Sequence, residues 1–288
     1  MVHLTASAPE AVTGQLRIWL DGRLYDDPNE ATIAGTDHGL LVGDGVFETL
    51  KVTQDGAFAV RRHLNRMSHS AAALGLPGPD HQQVREAIDA ILDGWDLPRG
   101  KLRITYTGGR GPLGSEAAYG PPRLIVALAP VPAAAPLTSI VTAPWTRNEH
   151  GALAGVKSTS YAENVRTLRY ATERGAGEAI FLNTAGHICE GTGTNIFLIF
   201  DDTVITPPLS AGPLAGITRE LIMEWTAVQE RELTIEDANR AEEVFITSSM
   251  RDIQGVEHWD ERIFSPARPI TEALAATFAE RSQADLDP

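Results

Sequence analysis

Of the 24 basic residues in this 288-residue chain, only three are lysines: Lys51, Lys101 and Lys157. Arginine supplies the rest, so a retained lysine raises the question of ammonium chemistry. A desolvated lysine can lose its proton near neutral pH, and arginine cannot. Lys51 lies in a strand pattern and Lys101 beside Arg99-Gly100, both positions that read as solvated. Lys157 alone sits among small residues, in GVKSTSYAEN, just before a predicted helix. Further on, Glu190 opens the glycine-rich turn of CEGTGTNIF. Such turns present backbone N–H groups to anions, yet a carboxylate at the head of one would repel a phosphate. In AGITREL, Ala215 to Leu221, a glycine precedes a helix start and leaves the N–H groups of Ile217 and Thr218 unpaired. That arrangement favours a dianion through oriented donors and the helix dipole. VFITSSM is a strand pattern ending in the hydroxyls of Thr247, Ser248 and Ser249.

The elements that position these groups read as a mixture. Two extended runs around Asp21-Gly22 predict a hairpin over Gln15 to Asp26, and Gly45 to Val52 a strand. Leu64, Met67, Ala71 and Leu74 share one helical face, so the pattern predicts a helix from about Val60 to Leu76. A second helix is predicted over Gln82 to Leu92, then strands at Leu102 to Thr107 and Arg123 to Ala129. The aperiodic APVPAAAPLT places a linker at 131–138. Beyond it come helices near Tyr161 to Arg174, Ile217 to Val228 and Pro269 to Arg281. Strands are predicted at Glu178 to Leu182, His187 to Cys189, Asn195 to Phe200 and Glu242 to Ser249. Strand clusters with helices, but without regular βαβ alternation, predict an α+β fold. The division expected is a tail at 1–14, a small domain at 15–130 and a larger one at 139–288.

Composition narrows the function. Apolar content of 43% and charged content of 22% are those of a globular protein. A net charge of −14 argues against nucleic acid and anionic membranes as partners, so an anionic ligand needs its own cluster of donors. The N-terminus lacks a basic start and an apolar run and reads as a loose tail; no stretch approaches a membrane span. The single cysteine, Cys189, excludes an internal disulfide and fits a reducing cytoplasm. There is no P-loop, nucleophile elbow or metal-ligand spacing; His63 and His69 fall on different sides of their helix, so no metal site is expected.

Taken together, the segments around Lys157, Glu190, Gly216 and Ser249 resemble, in order and spacing, the class IV pyridoxal-phosphate enzymes of fold type IV. That family comprises branched-chain aminotransferases, D-amino-acid aminotransferases and aminodeoxychorismate lyases. DHGLLVGDGVFETLKV (Asp37 to Val52) and RRHLNRM (Arg61 to Met67) extend the resemblance into the N-terminal half, so it runs from about Leu16 to Arg281. Any one segment is weakly specific; five in register are strongly so.

The resemblance implies a two-domain fold whose larger, C-terminal domain binds pyridoxal 5'-phosphate. Lys157 matches the lysine that condenses with the cofactor aldehyde and then serves as general base. Glu190 matches the carboxylate that faces the pyridine nitrogen, which accounts for its place at the head of the turn. Arg66, Ile217, Thr218 and Ser249 match the phosphate ligands, and Tyr161 the partner of the phenolic oxygen, although branched-chain enzymes carry that tyrosine one position further from the lysine. Asn195 is expected to brace the Glu190 turn. On the substrate side stand Phe47 and the backbone turn at Ser249 and Met250. Familiar bacterial D-amino-acid aminotransferases have an arginine where this chain has Gly108; Arg110, two positions on, either replaces it or is solvated. His38 stands where many relatives have arginine, and Arg251 either approaches an acidic substrate or points to solvent. The activity implied is transfer of an amino group between an amino acid and a 2-keto acid, with D-amino acids favoured over branched-chain L-amino acids. Aminodeoxychorismate lyase, releasing pyruvate and 4-aminobenzoate, is the alternative. Family members are generally homodimers whose sites borrow a loop from the neighbour.

Overall fold

The computed structural model describes residues 16–25 and 27–288. The expected tail at 1–14, and the outer residues of the first hairpin, Gln15 and Asp26, lie outside them. Two compact units divide after Pro132.

In the N-terminal unit the order is β1 (Arg17–Leu20), β2 (Arg23–Tyr25), α1 (His38–Leu41), β3 (Gly45–Thr53), β4 (Gly56–Ala57), α2 (Val60–Ala73), α3 (His81–Leu92), β5 (Gly100–Thr107) and β6 (Arg123–Pro130). The strands form one antiparallel sheet in the order β2-β1-β6-β5-β3-β4. Alternation decides its core face: Val46, Leu50 and Val52 of β3 join Leu102, Ile104, Val126 and Leu128. The helices cover that face with Leu64, Met67 and Ala71 of α2 and Val84, Ile88 and Ile91 of α3. α2 stops at Ala73, short of the predicted Leu76, with Leu74 as its cap.

One expectation fails here. Lys51 is only 7% exposed: the Phe58 amide donates to its carbonyl at 2.9 Å, and the Phe58 ring centre lies 5.2 Å from its ammonium. Lys101, directly opposite in register, is exposed as expected.

In the C-terminal unit the order is β7 (Leu137–Arg147), α4 (Ala162–Thr172), β8 (Glu178–Asn183), β9 (Ile188–Gly191), β10 (Asn195–Phe200), β11 (Thr203–Thr206), α5 (Ile217–Trp225), β12 (Val228–Glu230), α6 (Ile235–Ala238), β13 (Glu243–Ser248), β14 (Asp252–Trp259), β15 (Arg262–Ile263) and α7 (Pro269–Ala284). The main sheet runs β12-β11-β10-β13-β14-β7-β8-β9, with β15 added to β14. β14-β7, β7-β8 and β11-β12 are parallel and the other pairs antiparallel, so each unit is α+β. One face packs Ile140, Ile180, Ile188, Ile196, Leu198, Val244, Ile246 and Val256 together. On the other, Phe197 stacks on Phe245 with ring centres 4.7 Å apart, and Phe181 packs with Ala171 and Cys189.

β7 takes up Leu137 and Thr138 from the stretch expected to be linker, because a β-branched run follows directly. α5 ends at Trp225, and Val228, expected in the helix, belongs to β12 instead.

The start of α7 shows a buried charge used as a cap. Arg268 at the N-cap makes no side-chain cap bond. Glu243 of β13, 4% exposed, instead accepts from the amides of Ile270 (3.2 Å) and Thr271 (2.8 Å). A carboxylate on the first-turn amides meets the positive end of the helix dipole. Glu243→Ala is therefore expected to cost about 1–2 kcal/mol, read as a lower urea midpoint, with Glu243→Gln losing less because it keeps an acceptor.

Candidate active site

The glycine-rich turn is built around a different glutamate from the one that opens it. Glu178, at the start of β8 and 2% exposed, accepts from the Thr192 amide (3.0 Å), the Thr192 hydroxyl (2.5 Å) and the Thr194 hydroxyl (3.2 Å). Gly191 has to be glycine, since a Cβ there would overlap the Thr194 hydroxyl and press to 3.0 Å from the Glu178 carboxyl carbon. The anion served by the donors of this turn is thus internal, and Glu190 is left for another partner.

Glu190 lies in β9, extended beyond the predicted Cys189, with its side chain 13% exposed. Its Oε2 accepts from the Leu214 amide at 2.9 Å. The Leu214 carbonyl accepts from Asn195 Nδ2, also at 2.9 Å, so one peptide segment is held from both sides. Asn195, expected to brace the Glu190 turn, thus holds instead the Leu214 segment on which Glu190 rests. Two residues on, Gly216 caps α5 without a side chain, and a Cβ there would overlap Asn195 Oδ1. The clamp therefore sets the start of α5, where Ile217 and Thr218 are both buried and no side chain caps their amides.

The charges around Glu190 compete. Burial pushes its carboxyl pKa up, while Arg147, the Leu214 amide and the Lys157 ammonium pull it down and Glu178 adds to the rise; the net direction is upward. Lys157 is close enough for its charge to act on Glu190, so the two residues picked out by their chemistry share one environment. Lys157 is half-buried in the loop between β7 and α4. Tyr161, the N-cap of α4, donates its hydroxyl to the Thr192 carbonyl at 2.9 Å, as does Asn164 Nδ2 at 2.6 Å. Burial also pushes the neighbouring Cys189 thiol up, and the Glu190 charge adds to it.

Ser249 follows β13, whose Thr247 pairs in register with Asn195. The backbone turns at Ser249 and Met250, closed by the Arg251 amide on the Ser248 carbonyl at 3.1 Å. Arg251 fits neither expectation. Its guanidinium donates to the Gly177 carbonyl at 2.8 Å and to Gln254 Oε1, which ties the turn to the start of β8. Tyr161, Glu190, Ile217 and Thr218 thus sit on one hydrogen-bonded framework of the C-terminal unit, the Lys157 charge acts on its Glu190, and Ser249 follows the strand paired with its Asn195.

Phe47, Arg66 and Arg110 lie in the N-terminal unit. Phe47 is 4% exposed, with the Arg103 guanidinium carbon 3.8 Å from its ring centre. Arg66 grips Glu48 with two donors, Nε to Oε1 at 2.9 Å and Nη2 to Oε2 at 2.6 Å, and His63 Nδ1 lies 2.7 Å from the same Oε2. Arg110 is exposed and forms a β-bridge with Asp37. His38 is 1% exposed, and its Nε2 bonds the Pro112 carbonyl at 2.9 Å.

The family model for Amino-transferase class IV matches residues 45–259. The chain belongs to this family. A protein of Methanocaldococcus jannaschii, provisionally described as a branched-chain-amino-acid aminotransferase, is 31% identical over 279 residues, covering 92% of this chain and 96% of that one. The bifunctional aminodeoxychorismate lyase / D-amino acid transaminase of Mycobacterium tuberculosis is 29% identical over 290 residues, 90% and 96% of the two chains. The solved structure of a Mycobacterium tuberculosis protein described as a hypothetical aminotransferase, in its PLP-bound form, superposes with a TM-score of 0.82 at 28% identity, covering 91% of this chain and 97% of that one. This class IV aminotransferase has, among the described residues, no His/Cys/Asp/Glu group suited to a metal ion and no helix long and apolar enough to cross a membrane.

Arg147, Glu178 and Leu214 carry no sequence motif, and only the three-dimensional contacts single them out. Glu48, within the GVFETLKV strand, is likewise visible only through its partners. Its carboxyl is fully buried, which pushes its pKa up. The Arg66 charge and hydrogen bonds, with His63, outweigh this and hold it at about 2, below the ordinary 4.5. A depressed carboxyl stabilises the fold above its unfolded pKa and loses that contribution as pH falls. Glu48→Gln is expected to lower stability at pH 7 by about 3 kcal/mol. The deficit should shrink as pH drops from about 4.5 toward 2, measured as urea midpoints of both proteins across that range.

Proposed function

We propose that this chain is a pyridoxal 5'-phosphate-dependent aminotransferase that moves amino groups between amino acids and 2-keto acids, with D-amino acids as the favoured donors. The observation that carries the reading is the placement of Glu190, held through Leu214 next to the start of α5 and within the field of Lys157. Those groups fit the cofactor's chemistry: an anion for its ring nitrogen, a primary amine for its aldehyde, and amides at a helix N-terminus for its phosphate. When bound, pyridoxal phosphate supplies the aldehyde that takes up the amino group and a protonated ring that withdraws electrons from the substrate Cα.

The chain's residues do the rest. Glu190 holds the proton on the ring nitrogen. Lys157 provides the covalent attachment, and its freed Nζ carries a proton away from the substrate Cα. Ile217, Thr218 and Ser249 hold the phosphate, and Tyr161 is placed by its bond to Thr192 beside the turn that bears Glu190. The turn at Ser249 and Met250 offers backbone amides to a carboxylate. For Phe47, Arg66 and Arg110 the support is the resemblance in sequence.

D-amino acids are favoured on the likeness to the Mycobacterium tuberculosis enzyme, whose second activity also keeps aminodeoxychorismate lysis as the alternative. Purified protein with pyridoxal phosphate should be yellow, should be labelled at Lys157 by borohydride, and should convert D-amino acids to keto acids faster than L-amino acids. Lys157→Ala should lose the label and at least about 10²-fold in turnover. Full turnover in that variant would sink the reading, and release of 4-aminobenzoate with pyruvate would move it to the lyase.

We further propose a homodimer. Leu153 (41% exposed), Val165 (56%) and Leu168 (38%) support it in the C-terminal unit, and Leu40 (62%) and Leu113 (80%) in the N-terminal one, since large apolar side chains left this open favour burial by a partner. Light scattering should give twice the chain mass; a monomer at micromolar concentration would contradict it.

A further inference from the structure

Arg147 ends β7, ahead of the Lys157 loop, and neither the motifs nor the proposed chemistry uses it. Its side chain is 16% exposed and reaches three elements. Nη1 donates to Glu163 Oε2 at 2.5 Å and lies 3.5 Å from Asn164 Oδ1, both in the first turn of α4. The guanidinium carbon is 4.2 Å from the centre of the Phe181 ring in β8. Nε stands 3.6 Å from Glu190 Oε1 in β9, and both Nε and Nη2 are buried without a hydrogen-bond partner. Buried donors without partners are costly and call for an explanation.

We infer that Arg147 is a positioning residue that keeps Glu190 ionised and fixes the Lys157 loop relative to it. The two oxygens of Glu190 have separate holders, Oε2 the Leu214 amide and Oε1 the Arg147 charge. At 3.6 Å the second contact is charge attraction and not a hydrogen bond, so it steadies the carboxylate without consuming its lone pairs. Residues 148–161, which include Lys157, run between Arg147 and the α4 turn that the same guanidinium grips. One side chain therefore sets the amine-bearing loop against the carboxylate. The other charges acting on Glu190 are Lys157 from that loop and Glu178 from β8, which oppose each other.

The inference rests on the proposed role of Glu190, but its test does not need the cofactor. In apo-protein carrying ¹³C-labelled glutamate, the Glu190 carboxyl resonance can be assigned by its loss in Glu190→Gln and titrated. Arg147→Met should raise its midpoint by about one unit or more, and Arg147→Lys should restore most of the shift. An unchanged midpoint in a folded Arg147→Met protein would overturn the inference. Should that variant not fold, the Arg147 guanidinium ¹⁵N resonances of the parent protein decide: they should move as Glu190 titrates and stay still in Glu190→Gln. Resonances that ignore Glu190 would overturn it equally. A chain that bound no pyridoxal phosphate would sink the proposed function and leave this titration standing.

Discussion

Keeping the Glu190 carboxylate out of water is the constraint around which the C-terminal unit is arranged. A buried carboxylate is tolerated only with hydrogen bonds and opposite charge close by. The Leu214 amide supplies the first, and Arg147 with Lys157 the second. Each supplier has its own anchor: Asn195 holds the Leu214 carbonyl, and Glu163 holds Arg147. Glu178 adds repulsion, while its oxygens accept from Thr192 and Thr194 and so shape the turn. The pairing of β8 with β9, and the turn that leads from β9 into β10, bring these groups together, so the fold and the site are one problem here.

The N-terminal unit solves the same problem with the opposite outcome. Glu48 and Glu190 are both carboxylates on strands, each with an arginine nearby. Arg66 meets Glu48 with two hydrogen bonds of 2.6 and 2.9 Å, and the carboxyl is held at about 2. Arg147 approaches Glu190 only to 3.6 Å, and burial prevails, so the carboxyl rises. A two-pronged pair at hydrogen-bond distance overcomes desolvation, while a longer single contact offsets only part of it. Glu48 is therefore a fixed structural anion already matched to its cation. Glu190 is less fully paired, which under the proposed function suits a group that meets the protonated ring nitrogen.

Much of this was legible in the sequence where spacing encodes it. The period of Leu64, Met67 and Ala71 placed α2, and all three are fully buried. The scarcity of lysine and the odd glutamate of EGTGT pointed to Lys157 and Glu190, which prove to share one electrostatic environment. What escaped lacked local encoding. β7 carries Pro144 and a register shift between Thr142 and Thr146, features that break a strand pattern even though parallel neighbours on both sides sustain it. Lys51 reads as a solvated strand residue because nothing local reveals how deeply β3 is enclosed. Arg147, Glu178 and Leu214 are ordinary residue types far from one another in sequence, and only tertiary register makes them neighbours.

Arg251 is a committed side chain. A guanidinium two residues past Ser249 would be a ready reader of acidic substrates if it were available. Its donors go instead to Gly177 and Gln254, and Gln254 in turn donates to the Ala135 carbonyl at 2.7 Å, so swinging it out would break a connected set of bonds. Under the proposed function the substrate carboxylate then meets the backbone of the Ser249–Met250 turn and not this guanidinium. Under the proposed function, selection among amino acids must then come from groups other than Arg251. On that proposal, substrate handedness is left to the shape of the surrounding walls.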